Sequence, residues 1–389
     1  MITTLACFAL LLAPQPRPAQ GTDAAQSEFV KDRTSRGSKG RILRREGGAK
    51  TDKSLKLALE WLARAQNEDG SWNTSKKGTL AAQHGTGLTA LSLLALLGDG
   101  HSGVHGEYKE TVSKGLAWLL GRQNKQTGQF GVRSNHAFMY DHAIATLAVA
   151  EALLMDGSDA LAEPLETACA FLAKGRNKNA AWRYEVPPSE SGDNDTCISA
   201  WCTLALVMCQ EAGIEVEGAA FDGMEAWLES ATDDAIGRVG YNSQGSYSAR
   251  IQGLNSDVPV EIGEAMTAIA MTVRSFTMRR RGDKALWDNQ TQLLLKCQPN
   301  WSEEEPLVDM YYWYFGAQAM FQVGGKSWKA WNKSMKSAIT EAQLTEGEEE
   351  GSWDPIGPWC PYGGRVYSTA MMAMCLEVYY RYPRLLDQR

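Results

Sequence analysis

From residue 54 onward the chain repeats itself about every 55 residues, and that period restricts the fold more than any other feature. Each unit opens with a helix of apolar spacing three and four, as in Leu55, Leu59 and Leu62. A Gly-rich loop follows, then a more apolar helix such as Leu88–Leu97. The first helices align at Leu59-Glu60-Trp61-Leu62, Leu116-Ala117-Trp118-Leu119, Cys169-Ala170-Phe171-Leu172 and Glu225-Ala226-Trp227-Leu228. Their aromatics stand 57, 53 and 56 residues apart, which suits two helices of about 15 residues plus connecting loops.

The second helices of the units span Gly87–Leu97, His142–Met155, Thr196–Glu211, Glu264–Phe276, Tyr311–Val323 and Tyr367–Tyr382. They are apolar nearly all round, and a helix without a wide polar face is buried on both sides. They therefore form an inner ring, with the amphipathic first helices outside it. Six pairs result, the fifth outer helix (Ala285–Cys297) being the least regular. An open solenoid needs polar caps at both ends, whereas the last helix here is as apolar as the central ones. The expected fold is thus all-α, an (α/α)6 toroid closed by packing of the sixth pair on the first.

The toroid is expected over residues 54–382, with a short tail at 383–389. Residues 21–53, rich in Gly, Ser, Lys and Arg, read as a disordered basic linker. Residues 1–20 contain the apolar run Leu5–Leu12 and small residues near Ala19, the pattern of an export signal, although Met1–Thr4 carries no Lys or Arg. That run is too short to span a membrane, and no other stretch is read as a span. The expected location is outside the cytoplasm, periplasmic or extracellular.

The net charge of −7 conceals an uneven distribution. Residues 1–53 carry ten Lys or Arg against five Asp or Glu, leaving the other 336 residues at −12. An acidic body makes nucleic acid an unsuitable partner. Of the eight cysteines, none forms a CxxC pair, and Cys169, Cys197, Cys202, Cys209 and Cys375 lie in helix-like apolar runs, where they read as small buried hydrophobes.

Gln66-Asn67-Glu68-Asp69-Gly70-Ser71-Trp72 resembles the QW motif of squalene and hopene cyclases, with looser versions at Gln123–Phe130, Arg176–Trp182 and Gly351-Ser352-Trp353. The ending Gly363-Gly364-Arg365-Val366-Tyr367-Ser368-Thr369-Ala370, with Asp141-His142-Ala143 and Tyr311-Tyr312-Trp313-Tyr314, is similar to exported bacterial proteins carrying prenyltransferase/squalene oxidase repeats. The resemblance covers residues 54–382 and implies the terpenoid cyclase-like toroid. It implies no particular activity.

The chemistries known on such toroids each lack a residue here. Alkene protonation by the cyclases uses the middle Asp of D-x-D-D-T. The corresponding Gly192-Asp193-Asn194-Asp195-Thr196 puts an amide, Asn194, at the proton donor. Asp193 or Asp195 then reads most simply as a helix cap. The zinc site of protein prenyltransferases needs Asp, Cys and a late His, but no D-x-C pair occurs and His142 is the last of five histidines. Neither a C-G-E-Q thioester nor the zinc pattern of lanthionine cyclases occurs. No cofactor or metal is expected.

In a ring of helical hairpins the inner helices run parallel, so their N-termini meet on one rim and sum their positive dipole ends there. Polar residues collect at those ends. Asp141, His142, Asp193, Asp195, Tyr311, Tyr312, Arg365 and Tyr367 are the candidate rim residues. Capping explains Asp, Ser and Thr at helix starts, but it does not call for His, Arg or a tyrosine cluster. An aromatic wall of this composition suits an isoprenoid, a lipid tail or a sugar ring. The readings left open are a ligand-binding toroid, an isoprenoid cyclase or transferase with a displaced acid, a polysaccharide lyase, and an interaction scaffold.

Overall fold

The structure, a computed structural model, describes residues 27–72, 83–133, 137–178, 180–190, 192–280, 282–302 and 308–386. The predicted export signal at residues 1–20 lies outside the described residues, as do residues 21–26. Two short helices, α1 (Glu28–Thr34) and α2 (Arg36–Ile42), precede twelve longer ones. The outer helices are α3 (Ala49–Arg64), α5 (Lys109–Gly121), α7 (Asp159–Lys174), α9 (Gly218–Ala231), α11 (Lys284–Lys296) and α13 (Gly325–Glu341). Alternating with them are the inner helices α4 (Gly85–Gly98), α6 (Phe138–Asp156), α8 (Thr196–Glu211), α10 (Ala265–Thr277), α12 (Met310–Val323) and α14 (Cys360–Leu376). A last turn, α15, covers Val378–Arg381. The described residues contain no strand, only three isolated bridges in the loops.

The patterning explains the two rings. Every residue of α4 is buried, and of α12 only Val323 is not, because each inner helix packs on two inner neighbours and on the outer ring. Outer helices bury one stripe: Leu55, Ala58, Leu59 and Leu62 on α3, and Trp328, Trp331, Met335 and Ile339 on α13. The inner order α4, α6, α8, α10, α12, α14 returns to α4, and α13 packs on α3, so the ring closes as expected. Helix α6 is long and apolar enough to cross a membrane, but it is an inner-ring helix buried in the protein.

Repeated turns lock each unit to the next. Trp72 Nε1 donates to Leu62 O at 2.7 Å, Trp182 Nε1 to Leu172 O at 2.8 Å and Trp353 Nε1 to Ile339 O at 2.7 Å, satisfying a carbonyl near the end of the outer helix. Gln66 Nε2 reaches Thr111 O of the next outer helix at 2.9 Å. At Gly70 (φ +92°) a Cβ would stand 2.5 Å from Lys114 O, so only glycine allows the turn to lie on that helix.

Two boundaries differ from the periodicity. Helix α6 starts at Phe138 rather than His142, since Phe138 and Met139 bury apolar side chains that extend the inner face. The last inner helix is bent at Gly364 (φ 58°, ψ −153°) and ends at Leu376 before the separate α15.

The expected linker at residues 21–53 is wrong from Ser27 onward. Segment α1–α2 and the π-helical turn Leu43–Gly47 dock against α6 and α15, with Phe29, Val30 and Leu43 buried. Its basic residues meet carboxylates at the C-terminal ends of inner helices, where helix dipoles favour cations. Arg33 Nη1 lies 2.6 Å from Glu151 Oε2 with both side chains fully buried, and Lys39 Nζ lies 2.5 Å from Asp99 Oδ1. Burial opposes ionisation of Glu151, but the charges of Arg33 and Arg381 outweigh it and hold its pKa below the usual value. Of the expected tail at 383–389, Pro383 O accepts from Gln322 Nε2 and Leu385 is buried in the core; residues 387–389 lie outside the described residues.

Candidate functional site

A cavity of about 530 Å³ lies within the inner ring, at the end where the inner helices begin. Its lining draws on His84, the N-cap of α4, on Tyr140 and Asp141 in the first turn of α6, on Cys197 near the start of α8, and on Tyr311 near the start of α12. Deeper positions are apolar: Leu88, Leu91, Ile144, Trp201 and Met371. The long connection between α9 and α10 also contributes Ser248, Ala249 and Ile251 to the lining. That connection is anchored by Asn255 Nδ2, which donates to Pro358 O at 2.8 Å, and by Arg250, 3.8 Å from Asp309.

Asp141 is the lining carboxyl. Its Oδ1 accepts from Gly87 N at 3.2 Å, and His84 Nδ1 lies 3.7 Å from the same oxygen. A Cβ at position 87 would stand 2.5 Å from Oδ1, so glycine lets the carboxyl approach α4. Oδ2 has no hydrogen-bond partner among the described residues. Burial raises the Asp141 pKa against the opposing effect of His84, so the carboxyl keeps its proton to higher pH than an exposed one.

Asp195 stands one step back from the cavity. Its Oδ1 caps α8 by accepting from Cys197 N at 2.7 Å and Ile198 N at 3.2 Å, the capping role read from the sequence. Its Oδ2 accepts from the Tyr184 hydroxyl, which lies 2.8 Å from the Tyr241 hydroxyl. Tyr184 and Tyr241 line the cavity, so Asp195 communicates with it through them. Burial raises the pKa of Asp195 and of both tyrosines, which stay neutral hydrogen-bonding groups.

Tyr311 and Tyr367 also line the cavity, and neither hydroxyl has an oxygen or nitrogen partner among the described residues. The other candidates lie elsewhere. His142 is sealed in the core: Nδ1 accepts from Phe130 N at 3.0 Å, Nε2 faces Ala168 O at 3.2 Å, and burial lowers its pKa to about 3. Tyr312 is fully buried and donates to Leu294 O at 3.3 Å. Arg365 turns toward the preceding loop, 2.6 Å from Asp354 Oδ1 and 3.1 Å from Ser352 Oγ. Asp193 is exposed beside a separate hollow of about 130 Å³.

Candidate selection by helix starts passed over Tyr184, Tyr241, Trp359 and Tyr362. Tyr184, Tyr241 and Trp359 lie outside the helices, and Tyr362 sits before the break at Gly364. Their signal was the density of aromatics in the connections to inner helices. Among the described residues no three His, Cys, Asp or Glu side chains gather to hold a metal. The seven described cysteines are free thiols.

No family model and no curated protein sequence matches the chain. Solved structures do. A variant of the type II terpene cyclase MstE from Scytonema, in complex with its product merosterolic acid A, aligns with TM-score 0.55 at 14% identity, covering 85% of this chain and 96% of that one. An α-1,6-mannanase, GH76A of Salegentibacter sp. HEL1_6, in complex with α-1,6-mannotriose, aligns with TM-score 0.57 at 9% identity, covering 85% and 99%. The GH76 α-mannanase BT2949 of Bacteroides thetaiotaomicron gives 0.55 at 11%, covering 90% and 99%. The fold is therefore the (α/α)6 toroid found in terpene cyclases and in mannanases. At these identities the likeness defines architecture alone.

Proposed function

We propose that this toroid binds an isoprenoid chain in its central cavity and that Asp141 delivers a proton to one of its double bonds. The observation that carries the reading is one carboxyl, with an unpartnered oxygen, in a chamber whose wall, apart from His84, Cys197 and Ser248, is aliphatic and aromatic. Such a wall is complementary to a hydrocarbon chain and poorly suited to a glycan, whose many hydroxyls each need a hydrogen-bond partner. In the proposed step the Asp141 proton passes to an alkene carbon, and the carboxylate left behind is stabilised by Gly87 N–H and His84. The cation faces the rings of Trp201, Tyr311 and Tyr140. Loss of a proton from a neighbouring carbon would form the product: the Tyr184 oxygen takes that proton as its hydroxyl proton passes to the Asp195 carboxylate, and exchange with solvent through the open chamber returns a proton to Asp141 and removes the one on Asp195 before the next turnover. This is the displaced-acid reading: Asp141 takes the part that Asn194, an amide with no acidic proton, cannot; Asn194 Oδ1 instead accepts from Ala181 N at 3.0 Å and Asn177 Nδ2 at 2.9 Å.

The test is incubation with squalene and with geranylgeraniol, followed by mass spectrometry of the extract. A cyclised product from the wild type that disappears in Asp141→Asn supports the acid. Product formation undiminished in that variant refutes it.

A further inference from the structure

One flank of the outer helix α13 carries charge that the chamber does not use. Lys326, Lys329 and Lys333 are exposed there, and the half-buried Lys336 continues the row. Spacings of three and four keep the four on one flank, over about 15 Å of helix. Lys336 Nζ and Asn332 Nδ2 both donate to Glu46 O at 3.0 Å, so this flank faces the Leu43–Gly47 turn of the N-terminal segment. That turn exposes Arg44 and Arg45, and α3 beside it exposes Lys50 and Lys53. Carboxylates within the patch are already engaged: Glu46 meets Arg45 and Trp328, and Glu341 meets Lys50 and Ser337. A turn with four glutamates, at residues 346–350, bounds the patch beyond the end of α13. Among the described residues Arg44, Lys53, Lys326, Lys329 and Lys333 have no hydrogen bond or ion pair. Like charges three and four residues apart on a helix repel, so the row does not serve the fold.

We propose that this flank, with the Leu43–Gly47 turn and the start of α3, docks on an anionic lipid bilayer. Clustered lysines and arginines within a Debye length of anionic headgroups are each attracted to them, without any need for a shaped pocket. The patch lies on the outer wall of the ring, which is convex, and a plane touches such a wall along one strip. A nucleic acid suits it less well. Trp328 and Trp331 of α13 are buried and offer no face for base stacking, and a long polyanion would run onto the glutamate turn. The sequence ahead of the N-terminal segment contains the apolar run Leu5–Leu12, and an apolar stretch joined to a basic patch is a pairing that favours membranes. The protein as a whole carries a net charge of −7, so attraction to an anionic surface requires a local patch of this kind. The proposal holds whatever occupies the chamber.

Co-sedimentation of the full chain with vesicles tests this, using phosphatidylcholine alone and an equal mixture of phosphatidylcholine and phosphatidylglycerol. The wild type is expected to partition at least about tenfold more strongly onto the anionic vesicles, and to lose that preference in about 0.5 M salt. Lys326→Glu/Lys329→Glu/Lys333→Glu should lose it at low salt while melting at the wild-type temperature. Lys109→Glu/Lys114→Glu/Lys125→Glu, an equal change of net charge on exposed lysines of α5 and its following loop, should keep it. If charge reversal on α13 disturbs folding, the same three lysines changed to Gln give the same reading. Equal partition of the wild type onto both kinds of vesicle overturns the proposal. So does an α13 variant that keeps the preference, or an α5 variant that loses it to the same extent. Tighter binding of a DNA duplex of about 20 base pairs than of the anionic vesicles overturns it in favour of nucleic acid.

Discussion

Gln343 and Ser54, 289 residues apart, bond to each other twice: Ser54 Oγ donates to Gln343 Oε1 at 2.6 Å, and Gln343 Nε2 donates to Ser54 O at 2.8 Å. The same Nε2 reaches Gly351 O at 2.8 Å, and Gly351 lies on the Leu57 carbonyl, where a Cβ would stand 2.2 Å away. The turn after the last outer helix is thereby fastened to the first outer helix, which closes the ring. Gln343→Ala should lower stability by about 1–3 kcal/mol, the cost of leaving buried partners unsatisfied. Urea unfolding of the variant checks this, and an unchanged midpoint would show that closure does not depend on the pair.

The far end of the ring is held by charge. Arg33 and Arg381 both contact Glu151, and all three side chains are fully buried. Arg33→Ala would leave part of the Glu151 charge uncompensated, with an expected loss of about 3–5 kcal/mol. Residues 27–48 should resist limited proteolysis in the wild type and become cleavable in Arg33→Ala, as read by mass spectrometry of the fragments.

His142 gives a pH signature. Its pKa is lowered by burial from about 6.5 to about 3, so between those values the unfolded chain binds a proton that the folded one does not. Its contribution to stability is complete above pH 6.5 and is lost as pH falls, by on the order of 2 kcal/mol at pH 5. Thermal melts of wild type and His142→Gln should therefore converge as the pH is lowered from 7 to 5. Parallel curves would contradict the burial of a neutral imidazole.

The rings were legible because inner and outer helices differ in patterning over whole turns: α4 has no polar face, while α3 and α13 show a single apolar stripe. The N-terminal segment was not. Lys and Arg at Arg33 and Lys39 read as solvated by composition, and their partners Glu151 and Asp99 lie 118 and 60 residues away. At the rim, helix starts located Asp141, Tyr311 and Tyr367 but did not tell which way a side chain points. His142, adjacent to Asp141, faces Phe130 and Phe171 on the opposite side of α6 from the cavity. Tyr312 turns outward to α11 in the same way beside Tyr311. One residue along a helix is a rotation of about 100°, so each such pair divides between cavity and core.

The central claim is that the chamber beside Asp141 holds an isoprenoid chain, and occupancy of that chamber tests it most directly. Leu91 lines the cavity and is 5% exposed, and Leu91→Trp places an indole in the chamber. Native mass spectrometry of the two proteins after incubation with geranylgeraniol should show one bound molecule on the wild type. Binding to Leu91→Trp should be at least about tenfold weaker, with unfolding still cooperative. Equal occupancy of both proteins, or binding of mannotriose but not geranylgeraniol by the wild type in parallel incubations, would contradict the account.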